Sequence, residues 1–153
     1  MSRVEIQNAL AEIKVSYEPK SNIQDCPKVD SPESAVRIAR SFWKDIAYRE
    51  SFYVLLLNRA NRIIGYTKIS EGGVHATVAD AKMIFQAALK TNASSLVLCH
   101  NHPSGNDKPS ETDLTLTKRL VKAGEFLEIK VIDHIILLPE NGFFSFVQGG
   151  LMS

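Results

Sequence analysis

The sequence lacks the features that mark membrane, exported and nucleic-acid-binding proteins. Its 153 residues carry 18 basic and 17 acidic side chains, a formal net charge of +1, so the chain as a whole has no field to attract nucleic acid or an anionic membrane. Its unbroken apolar stretches, such as 54–57 and 135–138, are far shorter than the roughly 18 residues that predict a transmembrane helix. These absences predict a soluble protein that does not contact a membrane.

Cysteine is also scarce, and its placement excludes two common uses. Cys26 lies in a polar loop and Cys99 ends an apolar run, so the pair forms neither a disulfide framework nor a Cys-x-x-Cys metal site. The N-terminus has no basic start followed by an apolar block, as a secretory signal would. We therefore expect a reduced chain in the cytoplasm.

What the sequence does contain predicts one globular domain over residues 1–153. Hydrophobic residues make up 44% of the chain and charged residues 23%, which is enough to form a core. Strand patterns occur at 11–17, 51–57, 63–69, 94–99, 127–138 and 143–147. Helix signals cover 32–46, a stretch from Thr77 or Asp80 to about Lys90, and a segment after Ser110. This order predicts an α/β sandwich, a mixed sheet with helices packed against it.

Two histidines follow the apolar run at 94–99 and indicate a metal site. If the strand stays extended, His100 and His102 point to the same side because they are two residues apart. Asp113, in the first turn of the next predicted helix, is the natural third ligand. Two imidazoles, one carboxylate and a water molecule form the ligand set of a catalytic zinc ion.

Hydrolysis by a zinc-bound water also needs a general base that is not a ligand. Spacing alone allows Glu50, Glu71 or Glu111, and nothing in the pattern chooses among them. Asp113 has a second interpretation, because Ser110-Glu111-Thr112-Asp113 is close to a helix capping box. Ser110 could likewise be no more than the helix cap.

The run His-x-His-Pro, six residues, Ser, two residues, Asp, present here from His100 to Asp113, resembles the JAMM motif of MPN/JAB-domain zinc metallopeptidases. The segments His-Asn-His-Pro-Ser-Gly at 100–105 and Asp-His-Ile-Ile at 133–136 are most similar to the RadC-like proteins. The similarity extends over roughly residues 31–148. It implies a fold resembling cytidine deaminases, in a short form without the N-terminal helix-hairpin-helix region of longer members.

The resemblance also implies roles for individual residues. It implies one Zn²⁺ held by His100, His102 and Asp113, with Glu50 as general base and Ser110 stabilising the oxyanion. The substrate would be a peptide or protein cleaved at a peptide or isopeptide bond. The sequence does not identify that substrate or the oligomeric state.

Other functions stay open at this stage. A non-catalytic RadC-like module in DNA repair or mobile-element biology is the alternative to an enzyme, although the near-neutral charge does not favour nucleic-acid binding. A zinc nucleoside deaminase would need His-x-Glu and Pro-Cys-x-x-Cys motifs, which are absent. In the apolar strand, His134 is expected to be a hydrogen-bonded core residue and Asp133 a supporting neighbour of the site. His75 is expected at the surface or in a loop.

Overall fold

A computed structural model describes residues 1–14, 16–72 and 79–152. Over these residues the chain forms a mixed five-stranded sheet and four α-helices. The helices are α1 (Arg3–Ala9), α2 (Pro32–Phe42), α3 (Ala81–Lys90) and α4 (Glu111–Phe126). The strands are β1 (Ser51–Leu57), β2 (Ile63–Glu71), β3 (Ser95–Asn101), β4 (Lys130–Leu137) and β5 (Phe143–Ser145). None of the described helices is long and apolar enough to cross a membrane.

The sheet confirms the predicted fold class. Its strand order is β2-β1-β3-β4-β5, with β3 at the centre between an antiparallel neighbour, β1, and a parallel neighbour, β4. The hairpin β1–β2 is antiparallel, and α4 provides the crossover that a parallel connection from β3 to β4 requires. Every residue of β1 and β3 is buried, as expected of strands covered on both faces.

The two faces of the sheet form separate hydrophobic cores. One core packs α2 against the sheet, and its β3 members are Val97 and Cys99. The other packs α3 and α4 against the opposite face, and its β3 members are Leu96 and Leu98. Because side chains alternate along a strand, His100 at the end of β3 faces α4, whereas Cys99 faces α2. Cys99 is thus a small, fully buried residue on the face opposite His100.

The predicted helices and strands are confirmed except near the N-terminus, at one helix end and at two strand ends, since β4 begins at Lys130 and β5 ends at Ser145. The predicted strand at 11–17 is wrong: its described residues are neither helix nor strand, and Ile13 is 80% exposed. Alternation alone does not make a strand where no neighbouring strand or core supports it. The helix predicted at 32–46 ends at Phe42, because Trp43 turns extended and inserts into the α2 core.

Two predicted helix starts can be compared with the structure. Asp80 caps α3 through a hydrogen bond that its side chain accepts from the Lys82 amide. The alternative cap, Thr77, and the predicted loop residue His75 both lie outside the described residues. At α4, Ser110 is the N-cap, as the sequence predicted.

Candidate metal centre

The two histidines converge where β3 ends. His100 is the penultimate residue of β3 and is 1% exposed, while His102 is the first residue of the loop that follows. The His102 amide donates to the Leu137 carbonyl at 2.9 Å, so the chain still runs beside β4 past the end of the strand. The two Nε2 atoms lie 3.0 Å apart, in agreement with the prediction that the two side chains point to the same side.

Asp113 reaches the same point from the first turn of α4. Its Oδ2 atom lies 3.5 Å from Nε2 of His100 and 3.4 Å from Nε2 of His102. It also forms the capping box, because its carboxylate accepts from the Ser110 amide and its own amide donates to Ser110 Oγ. The two interpretations of Asp113 are therefore compatible, since the cap holds the carboxylate beside the histidines.

Glu50 completes the cluster from the chain that leads into β1. The ligand atoms of Glu50, His100 and His102 all lie within 4.8 Å of one another, and this Glu/His/His group could hold a metal ion. Strand pairing explains the approach, since Phe52 of β1 pairs with His100 of β3. Of the other acidic candidates, Glu71 forms ion pairs with Arg49 and Lys68. Glu111 is an exposed residue at the start of α4.

Asn101 lies between the two histidines in sequence and anchors the backbone around Glu50. Its side chain, on the face opposite His100, accepts from the Ser51 amide at 2.8 Å. The same side chain donates to the carbonyls of Ile46 and Arg49 at 2.7 and 2.8 Å. Asn101 is fully buried, so its side-chain amide makes these three bonds to the protein in place of bonds to water.

A chain of hydrogen bonds runs behind His100 into the protein. Nδ1 of His100 lies 2.7 Å from Nε2 of His134, and Nδ1 of His134 lies 2.7 Å from Oγ1 of Thr117. The Thr117 hydroxyl donates to the backbone carbonyl of Asp113 at 2.6 Å. The side chains of His100, His134 and Thr117 are all buried. The expectation that His134 is a hydrogen-bonded core residue is confirmed, and its partner is a residue of the metal centre.

A β-bulge in β4 turns His134 towards the site. The register with β3 shifts so that Leu96 pairs with Val131 but Val97 pairs with Asp133, which leaves Ile132 as the extra residue. An extra residue reverses the alternation of side chains beyond it. Asp133 therefore lies on the other face, where its carboxylate accepts from Ser145 and from the amides of His134 and Val147. Asp133 therefore supports the site only through His134, whose backbone amide donates to its carboxylate.

The electrostatics of the cluster favour an ionised Asp113. Burial opposes its charge, but the adjacent imidazoles of His100 and His102 hold the pKa of the Asp113 carboxyl well below its usual range. The hydrogen bond with Asp113 in turn raises the pKa of His102. Burial raises the pKa of Glu50. Burial and the neighbouring His100 lower the pKa of His134 far below its usual value, so that imidazole is neutral at pH 7.

Comparison with known proteins identifies the family. A sequence model of the RadC-like JAB domain matches residues 29–151. The chain belongs to the RadC-like JAB domain family. The resemblance recognised from the histidine motif is thus confirmed, and the JAB/MPN superfamily to which RadC-like domains belong includes metalloproteases.

Curated relatives of this RadC-like chain are UPF0758 proteins from diverse bacteria. The Flavobacterium johnsoniae protein is 38% identical over 124 residues, covering 81% of this chain and 53% of the relative. The Porphyromonas gingivalis protein is 39% identical over 132 residues, covering 84% and 58%. The protein TTE0897 of Caldanaerobacter subterraneus subsp. tengcongensis is 39% identical over 125 residues, covering 77% and 53%. The chain spans little more than half the length of these relatives.

Two buried residues of this RadC-like site were missed by sequence reasoning. Asn101 lies between the histidines, and strand alternation already places it on the opposite face, but its three backbone partners are distant in sequence. Thr117 follows Asp113 by four residues, one helical turn, which is a detectable signal. Its contact with His134 depends on tertiary structure and had no local sign.

The Asn101 contacts generate a stability prediction. Asn101→Ala would leave the buried Ser51 amide without its acceptor, at a cost of about 1–3 kcal/mol, and the part-buried carbonyls of Ile46 and Arg49 without their donor. We expect the free energy of unfolding in urea to fall by about 2–4 kcal/mol. Asn58→Ala is the matched control, because the Asn58 side chain also accepts from two amides, those of Ala60 and Arg62, but in a turn that water can reach. Equal losses in the two variants would contradict the anchoring role of Asn101.

Proposed function

We propose that this RadC-like domain is a zinc-dependent hydrolase of the JAMM type that cleaves a peptide or isopeptide bond with a metal-activated water. The observation that carries the proposal is the convergence of three donor atoms: Nε2 of His100, Nε2 of His102 and Oδ2 of Asp113. They are separated by 3.0, 3.5 and 3.4 Å. In this proposal Asp113 is the third ligand and Glu50 is the general base.

The spacing of these atoms fits a zinc ion. Ligands at the usual zinc distances of about 2.0–2.1 Å are about 3.3 Å from one another in a tetrahedral site, close to the three observed separations. The tautomer of His102 also fits, because its Nδ1 lies 2.7 Å from the Asn106 carbonyl, which can only accept a hydrogen bond. That contact keeps the proton on Nδ1 and leaves the Nε2 lone pair for a metal.

The remaining side chains supply what amide hydrolysis needs. Bound at this point, zinc would lower the pKa of a water molecule towards 7 and polarise the scissile carbonyl. Glu50 would take the proton of that water and pass it to the leaving amine, a role that suits a partly buried carboxylate with a raised pKa. Ser110 Oγ accepts from the Asp113 amide, so its hydroxyl hydrogen can donate to the developing oxyanion.

The substrate class comes from family membership. We propose a peptide or protein substrate in the cytoplasm, held so that its carbonyl lies between Ser110 and the three ligands. A non-catalytic RadC-like module in DNA repair or mobile-element biology is the competing function. The two differ in whether Glu50 matters, since a module without catalysis has no use for a general base.

Metal analysis tests the ligand set. Purified protein dialysed against dilute zinc is expected to retain about one zinc per chain. His102→Ala and Asp113→Ala are each expected to lose it, because either change removes one of three protein ligands. Asp107→Ala, an exposed acidic residue in the same loop, should retain zinc and serves as control. A full complement of zinc in Asp113→Ala would mean that Asp113 is not a ligand.

Glu50→Gln separates the base from the ligands. The variant is expected to bind zinc as the wild type does but to cleave at least about 100-fold more slowly, because proton transfer is lost. The assay follows zinc-loaded protein on a mixture of fluorescence-quenched peptide and isopeptide substrates, with Glu71→Gln as the control. Loss of zinc in Glu50→Gln would instead make Glu50 a ligand. Absence of cleavage by the wild type on the whole mixture would favour the non-catalytic module.

Zinc binding should depend on pH in a defined direction. Zinc needs the Nε2 lone pairs, and the hydrogen bond with Asp113 raises the pKa of His102 above its ordinary value of about 6.5. Affinity is therefore highest above that pKa and falls as the pH decreases through it, while the lowered pKa of Asp113 keeps the carboxylate ionised. Competition titrations with a chromogenic chelator should show at least about tenfold weaker binding at pH 5 than at pH 8. Affinity unchanged down to about pH 4 would contradict this ligand set.

A further inference from the structure

The hydrogen bonds behind His100 have a direction that the structure determines. The Asp113 carbonyl can only accept, so the single hydroxyl hydrogen of Thr117, 2.6 Å away, must point at that carbonyl. Thr117 Oγ1 has no second hydrogen to offer His134. The contact of 2.7 Å between Oγ1 and Nδ1 of His134 is therefore a bond in which the imidazole donates.

The direction of this bond also fixes the direction of the next one, between His134 and His100. A neutral imidazole carries one hydrogen, and His134 is fully buried, where a charged imidazole would need an anionic partner. With that hydrogen on Nδ1, Nε2 of His134 is an acceptor. Nδ1 of His100, 2.7 Å from it, must then carry the hydrogen, which leaves the lone pair of His100 on Nε2.

We propose that Thr117 and His134 are positioning residues that hold His100 in the tautomer with its hydrogen on Nδ1, so that Nε2 faces His102 and Asp113 as a metal ligand. The inference rests on the metal site proposed above. Neither residue belongs to the proposed ligand set. Their effect on the site is exerted entirely through His100.

The opposite direction would close the site to metal. If the Thr117 hydroxyl pointed at His134, the hydrogen of His134 would move to Nε2 and that of His100 to its own Nε2. Thr117 Oγ1 and the Asp113 carbonyl would then face each other at 2.6 Å with no hydrogen between them, which is repulsive. The helical position of Thr117, four residues after Asp113, thus selects the metal-binding tautomer.

Asp113 contributes to both ends of this arrangement. Its carboxylate lies beside Nε2 of His100, and its carbonyl receives the Thr117 hydroxyl that begins the chain of hydrogen bonds. One turn of α4 therefore places a ligand and also sets the tautomer of its neighbour. His102 has a simpler support, the carbonyl of Asn106.

Thr117→Val tests the proposal, because it keeps the shape of the side chain and removes the hydroxyl. We expect zinc affinity, measured by competition with a chromogenic chelator, to fall by about 10–100-fold, the usual cost of losing a partner of a metal ligand. Thr117→Ser keeps a hydroxyl and should stay within about threefold of the wild type. Thr115→Val makes the same chemical change at an exposed position of α4 and should not alter affinity. Zinc affinity in Thr117→Val equal to that of Thr117→Ser would overturn the proposal.

A second measurement needs no variant to fold. Nitrogen NMR of metal-free wild-type protein labelled with 15N-histidine reports which ring nitrogen of each imidazole is protonated. We expect the hydrogen of His100 on Nδ1, and a hydrogen on Nε2 of His100 would refute the role of Thr117 and His134. If the wild type bound no zinc, the proposed metal site would be wrong. The NMR measurement would still show whether Thr117 and His134 set the tautomer of His100, because it uses metal-free protein.

Discussion

The convergence of two ring nitrogens and a carboxylate oxygen at the end of β3 is the constraint on which the site depends. All three atoms carry lone pairs, and the described contacts direct the histidine hydrogens away from their meeting point. Such an arrangement is repulsive unless a cation or a shared proton lies among the atoms. It persists because each group is anchored from behind: His100 by His134, His102 by the Asn106 carbonyl, and Asp113 by the cap of α4. A rigid, electron-rich cluster of this kind is preorganised for a metal ion.

The central strand β3 contributes to the site from both of its faces, because its side chains alternate. His100 points towards α4 and brings a metal donor to Asp113, whereas Asn101 points towards the α2 side and fixes the backbone on both sides of Glu50. The carbonyl of Glu50 itself accepts from the Gly72 amide. The first of these consecutive residues thus places a donor atom, and the second fixes the backbone that carries the Glu50 carboxylate.

Local signals in the sequence were sufficient for most of the architecture. The apolar runs of β1 and β3, the Ser31-Pro32 start of α2 and the Ser-x-x-Asp start of α4 are each visible within a few residues of sequence. The same is true of the two histidines, whose spacing of two is meaningful once the strand is recognised. The choice of Glu50 over Glu71 had no such local signal, because β1 and β3 must pair before the Glu50 carboxylate approaches His100. Family resemblance supplied that choice, and geometry now gives it a physical reason.

The contribution of His134 could not have been predicted from its own strand. Strict alternation along β4 would have turned Asp133 towards α4 and His134 towards α2. The extra residue at Ile132 reverses them, so that the neutral imidazole enters the site and the carboxylate binds the segment after β5. A carboxylate in that place could accept from His100, but it could not donate to Thr117 Oγ1 and would attract the Thr117 hydrogen away from the Asp113 carbonyl. An imidazole can do what this chain of hydrogen bonds requires, which is to accept at one nitrogen while donating at the other. The bulge therefore determines which type of side chain supports His100.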